Sequence, residues 1–161
     1  MLAWLISAIA FLILVATFLC GCHERRRKQA AGRIVKAIEA EDDEALSMLL
    51  REGTDFGPVR EWFGEPALIL AVRSCTTERG GFAHEAVRLF VSHGANVNEP
   101  GTLWKTALMH AAADGNWDLC ITLLASGADT AARDIVGRTA ADWAQYQGYN
   151  RIASILRKVE A

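Results

Sequence analysis

Thr106-Ala107-Leu108-Met109-His110-Ala111-Ala112-Ala113-Asp114-Gly115-Asn116-Trp117-Asp118-Leu119-Cys120-Ile121-Thr122-Leu123-Leu124-Ala125-Ser126-Gly127-Ala128-Asp129 decides how this chain folds. Two apolar runs flank Asp114-Gly115-Asn116, and the second closes on glycine, where a left-handed residue ends a helix at little cost. The pattern repeats. Thr106-Ala107 recurs 33 positions on as Thr139-Ala140, and Gly94-Ala95-Asn96 recurs at the same spacing as Gly127-Ala128-Asp129. Two independent landmarks sharing one period indicate an array of equivalent units.

Thr-x-Leu-x-x-Ala opening one helix and Leu-Leu-x-x-Gly-Ala-Asp closing the next resemble the ankyrin repeat. The resemblance weakens outward. Pro66-Ala67-Leu68-Ile69-Leu70-Ala71 opens an earlier unit that closes at Gly94-Ala95-Asn96, with seven extra residues near Thr76–Phe82. Gly32-Arg33-Ile34-Val35-Lys36-Ala37 and Leu49-Leu50-Arg51-Glu52-Gly53 form a degenerate first unit, and Arg151–Leu156 ends the last. The implied fold class is all-α: a solenoid of about four helix pairs over residues 30–159, with short β-hairpin-like fingers, preceded by one apolar N-terminal helix.

Such a unit cannot bury its apolar face alone, so neighbours must stack. Ile34, Leu68 and Leu108 fall on first helices, and Leu50, Phe90, Leu123 and Leu156 on second helices. The terminal units offer polar outer faces, with Glu39, Glu41, Asp42, Asp43 and Glu44 on the first and Arg151, Arg157, Lys158 and Glu160 on the last. Asp42 and Asp43 are expected at a helix start, where acidic groups oppose the dipole.

Residues 1–22 differ in kind. Leu2 to Cys22 carry no charge and are apolar on every helical face. A helix of that length rises roughly 30 Å, the thickness of the bilayer hydrocarbon. Arg25-Arg26-Arg27-Lys28 follow, within a basic juxtamembrane linker over 23–29. Basic residues flanking a span stay cytoplasmic. This favours an uncleaved single-pass anchor with a cytoplasmic repeat domain, and contact between the basic run and anionic lipid. Leu19-Cys20-Gly21-Cys22 also resembles a bacterial lipobox with Cys22 as the lipid acceptor, which would make the chain a lipoprotein whose envelope-facing repeats protect or neutralise a partner. In a eukaryote Cys20 and Cys22 could instead be palmitoylated.

Net charge is −2, so no overall basic field is present to hold nucleic acid, and four cysteines are too few for a disulfide framework. His23, His84, His93 and His110 lack metal-ligand spacing, and Gly80-Gly81 lacks the lysine of a phosphate loop. His110 and Cys120 fall on paired helices, but no orienting acid or oxyanion donor accompanies them. The expectation is a non-catalytic module without cofactor or metal whose partner is another protein. The resemblance implies a partner surface on the concave face, at the fingers and the exposed side of each first helix. Position by position, this gives Trp62, Phe63 and Glu65 with Arg73; Leu103, Trp104 and Lys105 with Asp114; and Ile135, Val136 and Arg138 with Tyr146. Trp104 departs from the family pattern, standing where a turn glycine is usual. Trp117 and Trp143 are expected in the core.

Overall fold

A computed structural model of the chain describes residues 23–74 and 81–160. Among the described residues four helix pairs follow one another: α1 (residues 23–39) with α2 (Asp43–Arg51), α4 (Ala67–Ser74) with α5 (Gly81–Ser92), α6 (Ala107–Ala113) with α7 (Trp117–Ala125), and α8 (Ala140–Tyr146) with α9 (Asn150–Glu160). A short α3 (Gly57–Phe63) precedes the second pair. First helices pack on first helices, α4 on α6 and α6 on α8, while α2 packs on α5 and α5 on α7. This nearest-neighbour order is what an array of incomplete cores requires.

The helix boundaries follow from local chemistry. The Thr106 hydroxyl accepts from the Met109 amide, and Asn116 accepts from the Leu119 amide. Thr139 and Asp142 form a reciprocal capping box at the start of α8. Asp42 caps α2 by accepting from the Ala45 amide, as expected for an acidic helix start. Ile34, Leu68, Leu108, Ala111, Phe90, Leu123 and Leu156 are all buried, in one continuous core. Small residues on first helices let successive pairs approach closely; Ala71, Ala111 and Ala144 are fully covered. Polar brackets cross between units: Asn98 donates to the Gly127 carbonyl and accepts from the Asp129 amide, and His84 meets Thr122 at 2.7 Å.

The fingers differ from the expected hairpins, since no strand forms among the described residues. The first finger is replaced by α3, so Trp62 and Phe63 lie on a helix. Pro58 suits the first turn, the Asp55 carboxylate accepts from the Gly57 amide, and Gly64 at φ +78° ends the helix. Val59 and Pro58 are buried, and Phe56 meets Phe90 edge to face at 5.6 Å. The later fingers are tight turns. Gly101 donates to the Lys105 carbonyl, and Asp134 to that of Arg138. Leu103 and Ile135 join them across the repeat boundary through an amide–carbonyl bond of 3.2 Å.

The basic residues 23–29 are helical and continuous with the first repeat. Of the seven-residue insertion, Gly81 and Phe82 belong to α5 and Phe82 is buried. Residues 75–80, and with them Gly80, lie outside the described residues, as does the uncharged stretch holding Cys20 and Cys22. Among the described residues no helix is long and apolar enough to cross a membrane.

Candidate functional site

The side chains expected to meet a partner fall into three environments. Leu103, Trp104, Ile135, Val136 and Tyr146 are open to solvent, with Trp104 66% and Val136 67% exposed. Lys105, Arg138 and Arg73 are half-buried or exposed beside them. Glu65, by contrast, is only 7% exposed and turned inward. Its Oε2 accepts from the Thr102 amide at 3.2 Å, and its Oε1 lies 3.6 Å from Arg73. Glu65 therefore joins one finger to the next.

Trp104 and Leu103 adopt left-handed backbone, at φ +59° and +60°. The corresponding turn in the last finger uses Gly137 at φ +85° for the position that Trp104 fills. A side chain in this region costs about 1–2 kcal/mol, and a chain retains such strain where its surroundings impose it. Trp104 gains little burial in exchange.

Trp143 is the centre of a charged aromatic cluster. Lys105 Nζ lies 3.5 Å from its ring centroid and the Arg138 guanidinium 4.0 Å. The Tyr146 ring stands edge-on to it at 6.2 Å. Its indole N–H donates to Asp134 Oδ2 at 3.1 Å. Asp134 also accepts from the Val136 and Arg138 amides, both at 2.9 Å, and from Arg138 Nε at 3.2 Å. Burial pushes the Asp134 pKa up, but these donors outweigh it and hold the carboxyl below its ordinary value. The Lys105 ammonium is shifted down, first by desolvation and then by the Arg138 charge. Trp143, like Trp117, is partly buried and packs against the core, as expected of both, and its remaining surface carries this cluster. It lies 33 positions after His110, at the same half-buried place on a first helix, and that register could have identified it.

His110 and Asp114 face the same region. Burial, then the Lys105 and Arg73 charges, lowers the His110 pKa to about 4, so the imidazole is neutral near pH 7. Its Nε2 has no hydrogen-bond partner among the described residues. Burial raises the Asp114 carboxyl, against the pull of Arg73 and Lys105. The Cys120 thiol is pushed by burial, and next by Asp114, up to about 12. A thiol so high and an imidazole so weakly basic are the reverse of an activated nucleophile and base. Among the described residues no cluster of three or more metal-ligating side chains occurs.

Stacked helix pairs joined by turns, with exposed apolar residues at the turn tips, define a helical repeat solenoid. The chain belongs to the ankyrin-repeat family: the family model for ankyrin repeats (3 copies) matches residues 34–134 and 80–161. Comparison with curated proteins gave no match. Repeats of this family are in general protein–protein interaction modules rather than catalysts, and they imply a protein as the partner.

Proposed function

We propose that this chain is a membrane-tethered, non-catalytic ankyrin-repeat module that recruits or regulates another protein through the finger tips and Trp143. The observation that carries this is Trp104. An indole two-thirds exposed, on strained backbone where the next finger has glycine, contributes little to folding and supplies a large rigid contact. Leu103, Ile135 and Val136 extend the apolar tips around it, and Lys105, Arg138 and Tyr146 frame them. Tryptophan, tyrosine and arginine are the residues that dominate interface energetics. The tether is the uncharged stretch Leu2–Cys22, and the basic run after it favours a cytoplasmic repeat domain.

A photo-reactive residue at position 104, in the full chain expressed in its own cells, tests the binding surface. It should give one dominant protein adduct, and a probe at Glu39 on the first repeat's outer side should not. Equal adducts from both positions would remove the finger tips from the interface. Intact mass and protease shielding of the same membrane-extracted chain test the tether. An uncleaved, cytoplasmically shielded chain supports it, whereas a chain beginning at lipidated Cys22 places the binding surface in a cell envelope.

A further inference from the structure

Helix α1 differs from its counterparts. First helices α4, α6 and α8 begin at Ala67, Ala107 and Ala140, whereas α1 is already helical at residue 23, more than two turns before Ile34. The added turns are held in place by α3. Arg27 pairs with Glu61 at 3.1 Å and lies 4.0 Å from Asp55, and Lys28 Nζ sits 4.7 Å from the Trp62 ring centroid. This arrangement leaves Trp62 and Phe63 39% and 45% exposed beside the basic turns. Arg25 and Arg26 are exposed, and no ion pair is formed by either among the described residues.

We propose that Arg25, Arg26, Lys28, Trp62 and Phe63 form one docking surface for an anionic membrane. The inference rests on the tether reading in one respect: the uncharged stretch ends at Cys22, immediately before these turns. Three arguments select lipid as the occupant. The basic part of the patch follows directly in sequence on the uncharged stretch Leu2–Cys22. Its charges match anionic headgroups: Arg25, Arg26 and Lys28 outweigh the one carboxylate of these turns, Glu24, and Arg27 offsets Glu61 and Asp55. The Trp62 indole is the kind of ring that settles at the headgroup level, and lysine over it is compatible with that position. By this reading α3, which stands where a finger would be, fixes the first repeat against the bilayer, and partner binding is left to the later fingers.

The test uses the full chain reconstituted into phosphatidylcholine vesicles with and without phosphatidylserine, each carrying brominated lipid as a fluorescence quencher. The difference between the parent and Trp62→Phe isolates the Trp62 signal, and circular dichroism verifies the fold. Flotation reports attachment separately. Trp62 should be quenched strongly only with phosphatidylserine. Quenching should fall in high salt and in Arg25→Gln/Arg26→Gln/Lys28→Gln, each charge being worth roughly a fivefold change in surface partition. If the chain floats with both vesicle types while Trp62 stays unquenched, the docking surface is refuted and the tether stands. Flotation and quenching only with the anionic lipid would keep the surface and refute the tether. No flotation with either would refute both. Trp62 unquenched in vesicles, yet shielded from acrylamide in native membranes, would identify a protein occupant and overturn the proposal.

Discussion

Trp104 concentrates the conflict between folding and binding at one residue. Its φ of +59° favours glycine, and the corresponding position in the last finger has glycine. Trp104→Gly should therefore raise stability by about 1 kcal/mol in urea unfolding while weakening partner cross-linking or capture. Equal losses of both would mean that the indole supports the finger itself. The titrating residues nearby make a second prediction. The folded chain holds His110 at about pH 4 rather than 6.5, so between those values the unfolded chain binds a proton that the folded chain does not. Stability must then fall as pH drops from 6.5 to 4 and level off below, by about 1–2 kcal/mol once the partial exposure of His110 is allowed for. His110→Leu should flatten that slope, and Leu70 already fills the same place in the preceding repeat. Asp134 acts lower on the scale. Its folded pKa is depressed, so its contribution is present above its ordinary value and disappears as pH falls through the folded one. Asp43 and Asp114, shifted upward, oppose this part of the acid response. Comparing urea midpoints of the parent and His110→Leu from pH 7 to pH 4 separates the histidine from the carboxylates.

The fingers show how one structural requirement is met in two ways. In the last finger Asp134 accepts from amides of its own turn. The equivalent position one repeat earlier is Gly101, and there Glu65, from the preceding finger, brings its carboxylate to the Thr102 amide. A Cβ built at Gly101 would collide with Glu65 Oε2. Gly101→Ala should accordingly destabilise the protein by about 1–3 kcal/mol, through displacement of a hydrogen-bonded, buried carboxylate. Glu65→Ala should cost a similar amount, and Gly101→Asp with Glu65→Ala should recover part of the loss, because the turn regains an internal carboxylate. Additive losses across that double-mutant cycle in urea would disprove the exchange. This pairing was not legible in the sequence, where Glu65 reads as an exposed finger residue. Its burial depends on a glycine 36 positions away, beyond the reach of any local pattern. α3 was missed for a related reason: Pro58 and Gly64 mark turns as readily as helix ends, and only burial of Val59 selects the helix. Trp143 was legible in part: its apolar character suggested the core contact it makes, and the period places it at the half-buried position of His110, where one face of the ring stays open.

At the scale of the molecule the period was nearly sufficient. Once Thr106–Asp129 is read as two helices and matched to its copies, the helix pairs and their buried ridges follow, because each face has nowhere to go but against its neighbour. Charge at the ends, and the packing of α9 as the last layer, follow from the same rule. α9 covers the end of the stack with Ile152, Ala153 and Leu156, all nearly buried, while Arg157 reaches back to Asp142 at 3.4 Å. That ion pair is exposed and contributes little. The buried leucine contributes more. Leu156→Ala should cost about 2–5 kcal/mol, since it removes apolar contact and leaves a cavity. In a quasi-one-dimensional stack the loss should not be uniform. α8, which packs directly on α9, should lose amide protection in hydrogen exchange most, α6 less, and α4 least. An equal loss in all three helices would mean that the four pairs unfold as one unit, with interfaces stronger than the repeats they join. A loss confined to α9 would mean that the last helix is a detachable cover, and that the apolar face of α8 is stable without it.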